Sequence, residues 1–140
     1  MISGEIMQKE LARRAERSVM DIHDTIQQIY TLPIDDAQNR VAELMSQFRP
    51  DFRMLTSQGS WLSYGQVKRF FKNSAGVQPG LRIEISQCET LAIEGSLVAI
   101  RYRETHHAKG AATQRVSVAM IDVSTQPARW RYLQERTFNT

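Results

Sequence analysis

The chain is poor in the residues that would commit it to a specialised class. It holds one cysteine, Cys88, among 140 residues, so no disulfide can form within it and the fold must stand on packing alone. Its seven glycines are scattered at turn positions, and none belongs to a glycine-rich phosphate loop. No apolar run exceeds four residues, far short of a membrane span. The N-terminal segment MISGEIMQKELARR has no apolar core of a signal peptide. A soluble protein of the reducing cytoplasm, without a membrane partner, is the expectation. No polybasic stripe with interleaved aromatics accompanies the net charge of +3, so no nucleic-acid partner is expected. Metal ligands are sparse too. His106 and His107 are neighbours on an extended segment and point to opposite faces, and His23 has only Asp24 nearby, which faces elsewhere on a helix. No metal and no cofactor are expected.

What is present is an ordinary globular composition, 41% apolar and 24% charged, enough for one domain over residues 1–140 with a sizeable core. The first half reads helical and the last part reads as strands, which argues for an α+β fold. Ile6, Leu11, Ala15, Val19, Ile22, Ile26 and Ile29 recur at helical spacing from Gly4 to Tyr30. Ser3 is placed to cap this helix and Pro33 to end it. A second helix is expected from Asp35, with Asp35 and Gln38 as a capping box, an apolar stripe of Val41, Leu44, Met45 and Phe48, and Pro50 as its stop. Phe52–Thr56 suits a short strand and Ser57–Ser60 a turn. Ser63 and Gln66 form a second capping box before a third helix with Val67, Phe70 and Phe71 on one face, closed by Gly76.

From Leu81 the period falls to two. Turn signals at Glu94-Gly95, Lys109-Gly110 and Ser124–Pro127 divide four long strands, about 81–93, 96–108, 112–124 and 128–138. Alternation places Val98, Ile100, Tyr102, Glu104 and His106 on one face, the bulkier one, expected to be concave. A two-residue turn at Glu94-Gly95 sets Val98 opposite Leu91, Glu104 opposite Ile85 and His106 opposite Ile83. The same alternation groups Trp130, Tyr132, Gln134 and Arg136 on the last strand. The third strand has two possible registers. A three-residue loop at Ala108–Gly110 turns Val116, Val118 and Met120 inward, whereas a two-residue loop turns Arg115 inward beside Glu104.

The segment from Phe48 to Gly59, FRPDFRMLTSQG, followed by Trp61–Phe71, WLSYGQVKRFF, and the last strand Arg129–Arg136, RWRYLQER, resemble the nuclear transport factor 2-like superfamily. That group includes ketosteroid isomerase and the SnoaL-like polyketide cyclases. The resemblance covers nearly the whole chain, with residues 1–20 as a helical extension before the usual family core. It implies three helices packed in the concave face of a strongly curved, mainly antiparallel meander sheet, a cone with a mostly apolar pocket. It also implies a homodimer. Against the isomerase pattern, Thr56 stands where that enzyme keeps its aspartate base, and a threonine cannot take a proton at neutral pH. Asp122, in Met120–Val123, corresponds to the isomerase's oxyanion-hole aspartate, but it lies close to a turn.

The expected site lies at the polar end of the cone. Glu104 and His106 are the catalytic candidates, since a carboxylate beside an imidazole can do acid–base work. Thr56, Trp61, Tyr102, Glu104, His106, Tyr132, Gln134 and Arg136 are the candidate ligand-binding residues, with Arg136 able to hold an anionic group. The expected ligand is a small, mostly apolar organic molecule, handled by a cofactor-independent isomerase-, cyclase- or hydrolase-like enzyme. The alternative is a non-catalytic dimerisation or interaction module, whose cone would be filled by Phe70, Phe71, Trp130 and Tyr132. The outer face, with Leu97, Ala99, Ile121 and Leu133 among Arg101, Arg103, Arg129 and Arg131, and Arg115 in the three-residue-loop register, suits a homodimer interface. Glu135 is expected on that outer side, balancing some of the arginines.

Overall fold

The structure, a computed structural model, describes residues 3–138. The first helix, α1 (Gly4–Thr31), is capped as expected: Ser3 Oγ accepts the Ile6 N–H at 3.2 Å, satisfying a donor that has no partner within the helix. Its apolar stripe meets the core from Ala15 onward, where Ala15, Val19, Ile22 and Ile29 are buried, while Ile6 and Met7 are exposed. The second helix, α2 (Ile34–Met45), begins directly after Pro33 without a side-chain cap. The expected Asp35–Gln38 box does not form. Asp35 and Asp36 lie in the first turn instead, where the positive end of the helix dipole favours them. The helix also ends at Met45, short of Pro50, because Phe48 leaves it to pair with Trp130 in the sheet.

There follow β1 (Phe48–Leu55), β2 (Trp61–Ser63), α3 (Tyr64–Asn73), β3 (Arg82–Glu94), β4 (Leu97–Ala108), β5 (Ala111–Asp122) and β6 (Arg129–Phe138). They form a single six-stranded sheet in the order β2-β1-β6-β5-β4-β3. The last four strands make the expected antiparallel meander, and β1 adds to it parallel to β6. The three helices pack in the concave face of this open sheet, giving the α+β cone. Both bonds of the Ser63–Gln66 capping box are present and start α3. The core is α1 against β4, β5 and β6, with Val98, Ile100, Ala119, Ile121 and Trp130 fully buried. Each such large apolar side chain contributes about 1.5–3 kcal/mol on burial.

Three departures from simple alternation decide what faces inward. In the β3–β4 hairpin the turn residues are Gly95 and Ser96, so Val98 lies opposite Ile93 rather than Leu91. Two bulges in β3, one near Gln87 with its φ of 53°, then restore the expected pairs of Glu104 with Ile85 and His106 with Ile83. Between β4 and β5, Lys109 and Gly110 form a two-residue turn with φ of 52° and 75°, the left-handed pair that suits a tight hairpin. This selects the register that turns Arg115 inward, opposite Glu104, and sends Val116, Val118 and Met120 outward. On β6 a bulge at Arg131 breaks the grouping expected for that strand. Trp130 pairs with Ile121 and points inward, but Tyr132 pairs with Met120 and points outward. Tyr132, Gln134 and Arg136 therefore lie on the outer face, and Leu133 and Glu135 turn in. Ile121, Leu133 and Arg115, expected outside, are inner residues for the same two reasons.

Gly76 closes α3 onto α1. Its N–H donates to the Ile29 carbonyl at 2.8 Å and its φ is +71°. A methyl group added there would lie only 3.1 Å from the Leu32 carbonyl oxygen and 3.3 Å from the Ile34 nitrogen. Gly76→Ala is expected to cost about 2 kcal/mol or more, read as a lower urea midpoint at unchanged slope. Gly80→Ala, with nothing within 4 Å of the added carbon, is the neutral control.

Candidate functional site

Between α1, α3 and the concave face lies a cavity of about 410 Å³. Ile22, Ile26 and Tyr30 of α1, Phe52 and Met54 of β1, Leu62 of β2, and Val67 and Phe71 of α3 give it apolar walls. The helical spacing of the α1 residues puts them on one face, and the curved sheet wraps around that face. Thr56 lines the cavity, and Phe70 on α3 contributes to its wall while remaining half exposed to solvent. The polar groups His23, Tyr102, Glu104, His106, Arg115 and Glu135 come from α1, β4, β5 and β6.

These polar groups are tied together. His23 Nδ1 lies 2.7 Å from the Val19 carbonyl oxygen, which can only accept, so Nδ1 carries a proton. His23 Nε2 lies 3.1 Å from Glu104 Oε1. The other oxygen of Glu104 bonds to His106 Nε2. Glu104 is thus a buried carboxylate held between two imidazoles, one from the helix and one from its own strand. Burial by itself pulls the His23 imidazole down. The Glu104 charge, its hydrogen bond and the Val19 carbonyl outweigh that and hold His23 above its ordinary 6.5. Burial by itself raises Glu104, but the His23 charge, the hydrogen bonds from His106 and His23, and the Arg115 charge hold it far below its ordinary 4.5. The shifts run in opposite directions, favouring the protonated form of His23 and the ionised form of Glu104.

A second pair lies beside the first. Arg115 Nη1 donates to Glu135 Oε2 at 3.0 Å. Burial opposes the Arg115 charge, and Glu135 with Glu104 outweighs it, raising the guanidinium further. The Tyr102 hydroxyl is pushed well above 10 by burial and by the nearby Glu104 and Glu135 charges, so it stays a neutral donor. Its ring packs edge-on to His23 at 5.2 Å and to Trp130 at 6.2 Å. Trp130 is itself fixed by its indole N–H donating to Ser18 Oγ at 2.8 Å. Among the described residues no group of three His, Cys, Asp or Glu side chains is arranged to hold a metal ion.

No protein-family model matches the chain, and no curated protein matches it in sequence. Solved structures do. A nuclear transport factor 2-like protein of unknown function from Pseudomonas aeruginosa superposes with a TM-score of 0.82 at 26% identity, over 90% of this chain and 99% of that one. The chain has the nuclear transport factor 2-like fold. A candidate scytalone dehydratase from Novosphingobium aromaticivorans shares the fold at 12% identity and a TM-score of 0.72, over 91% of this chain and 83% of that one. The β subunit of a candidate aromatic-ring-hydroxylating dioxygenase from the same organism does so at 15% identity and 0.62, over 92% of each chain.

Of the residues expected at the site, this nuclear transport factor 2-like cone brings Thr56, Tyr102, Glu104 and His106 to the cavity. Trp61, Tyr132, Gln134 and Arg136 are elsewhere. Trp61 lies on the outer face, 6.2 Å from the Tyr132 ring and 4.7 Å below the Arg53 guanidinium. The Tyr132 hydroxyl donates to Gln134 Oε1 at 2.8 Å on that face. Asp122 lines no part of the cavity; at the end of β5 it pairs with Arg49 at 3.3 Å and accepts from Ser124 and Ser96. Cys88 is half-buried against the core, its thiol pushed up by burial. His23, Tyr30 and Glu135 were not expected at the site. A signal for His23 existed: it falls four residues after Val19 and three before Ile26, inside the apolar stripe of α1.

The His23–Glu104 pair has a defined pH signature. Glu104, with its value depressed, contributes stability above the ordinary 4.5 and loses it as the pH falls. His23, with its value raised, contributes fully below the ordinary 6.5 and loses it as the pH rises through the raised value. The pair is complete between these two values. His23→Gln is expected to cost ~3 kcal/mol in that window, since it leaves a buried carboxylate short of its counter-charge. In urea denaturation the difference from wild type should shrink on the alkaline side, and an equal loss at all pH values would mean that His23 is neutral in the fold.

Proposed function

We propose that this chain is a small-molecule-binding cone whose cavity carries a cofactor-independent proton-transfer site, of the kind used by isomerase-, cyclase- or hydrolase-like enzymes on mostly apolar organic substrates. The carrying observation is the apolar cavity that ends on His23, Glu104 and His106. Within that site the roles divide. Glu104, ionised and bonded on both oxygens, is a poor base and serves to orient its neighbours. Its bond to His106 Nε2 leaves Nδ1 of His106 as the ring atom able to exchange a proton with a bound molecule, the logic by which a carboxylate sets a catalytic imidazole. The Tyr102 hydroxyl, a neutral donor, is placed to polarise a carbonyl or hydroxyl of the ligand. The non-catalytic reading needs a filled cone. Phe70 stands half exposed and Tyr132 lies outside, which favours the binding reading.

Native mass spectrometry of the protein purified from its own host tests this. A reproducible organic adduct is expected, lost in Leu62→Trp, where the larger ring fills the cavity from its β2 wall. With that ligand in hand, His106→Gln should lower kcat by about 10²-fold or more with binding changed only a few-fold. Retention of full turnover in His106→Gln would remove His106 from the chemistry.

We also propose a homodimer through the outer sheet face. That face carries Leu55, Trp61, Val116, Val118, Met120 and Tyr132 among Arg53, Arg101, Arg103 and Arg136, the mixture of apolar, aromatic and arginine groups that interfaces favour. Sedimentation should report a dimer that Val118→Glu converts to a monomer; a wild-type monomer at high concentration would refute the interface.

A further inference from the structure

We infer that the cavity selects an uncharged, ring-bearing ligand, with the Arg115–Glu135 pair as the element that excludes carboxylates. The inference rests on the ligand-binding reading above and names the class of molecule that the site takes.

Two basic side chains, His23 and Arg115, line the cavity, and each already has its own carboxylate. His23 meets Glu104 at 3.1 Å and Arg115 meets Glu135 at 3.0 Å. Each of these basic side chains is thus matched by a carboxylate. An entering carboxylate would give up its hydration and find each cation screened by an anion that it would repel. An entering ammonium would find each carboxylate already held by a cation. The expected anion-holding arginine, Arg136, lies on the outer face, opposite Val116. His106 is the remaining basic group in the wall, and its Nε2 is already bonded to Glu104.

The uncharged polar chemistry is, by contrast, unsatisfied. The Tyr102 hydroxyl, in the cavity wall, is buried without a hydrogen bond of good geometry, facing the Ser117 hydroxyl that lies opposite it on β5 and outside the cavity lining. A buried hydroxyl without a partner is costly, and a carbonyl or hydroxyl on a ligand relieves it. Around these groups the walls are aromatic, with Phe52, Phe71 and Trp130. A flat ring with one neutral oxygen meets every one of these features. Glu135 is the residue that makes the site neutral, since without it Arg115 would be free to receive an anion.

Isothermal titration at neutral pH with matched pairs tests this: phenol with benzoate, 2-naphthol with 2-naphthoate, and indole with indole-3-carboxylate. At least one neutral member is expected to bind about ten-fold or more tightly than its carboxylate partner, and Leu62→Trp should abolish that binding. Glu135→Gln, close to isosteric, should unpair Arg115 and bring the ratio to within about three-fold or invert it. The wild-type ratio stands without any variant. A carboxylate that binds wild type as tightly as its neutral partner overturns the charge selection and leaves the binding reading intact. An unchanged ratio in a folded Glu135→Gln overturns the role of the Arg115–Glu135 pair. No binding by any of the six compounds counts against the binding reading itself.

Discussion

A carboxylate buried in the wall of an apolar cavity has to be matched, and the arrangement of this cone follows from how Glu104 is matched. An unpaired charge at that depth costs several kcal/mol. The partner comes from the other layer of the fold: His23, on α1, reaches across to β4. That contact fixes the rotation of the helix over the sheet, because His23 can meet Glu104 only if Val19 and Ile22 face the core. The Val19 carbonyl then accepts a hydrogen bond from Nδ1–H, so the helix supplies both the imidazole and the acceptor that holds it. His106 completes the set from the strand side. The polar end of the cavity is therefore a structural joint between layers, and the proposed chemical site is built on that joint.

On the proposed reading, the same joint decides which group is left to do chemistry. A carboxylate stabilised on both oxygens has little tendency to take a proton, whatever its position over a ligand. His23 is bonded at both nitrogens and is equally unavailable. Only His106 has a ring atom left over. The division resembles the one that a buried carboxylate imposes on an imidazole in other acid–base sites, and it follows here from hydrogen-bond capacity alone. What stabilises the fold and what remains free to react are different members of one network.

The sequence carried much of this and withheld a specific part. Helices, capping residues and the meander were legible because each has a local cause: Ser3, Ser63 with Gln66, and the switch from helical to alternating period after Leu81. The inward set Tyr102, Glu104 and His106 was legible because β4 keeps strict alternation along its length. His23 was overlooked although it sits in the α1 stripe, because a lone histidine among apolar residues does not announce a partner 81 positions away. Glu135 and Arg136 exchanged faces because alternation cannot see a bulge. Nothing local to Trp130-Arg131-Tyr132 marks it. It arises where Trp130 must stay inward, tied to Ser18 and to the Gln47 carbonyl, while Leu133 must also reach the core.

That bulge couples the two faces of the sheet. Without it, alternation from Trp130 would carry Tyr132, Gln134 and Arg136 inward and leave Leu133 and Glu135 outside. Arg115 would then face the cavity with Glu104 as its nearest anion and Arg136 as a second cation beside it. Glu104 would be shared between Arg115 and His23, and the cavity would hold a net positive charge suited to acids. The outer face would lose Tyr132, which packs with Trp61 and Met120 across three strands. One extra residue in β6 thus decides which charged groups enter the interior and gives the exterior its aromatic patch. The charge character of the pocket and the character of the sheet's outer surface are not independent properties of this chain, and a change that straightened β6 would alter both together.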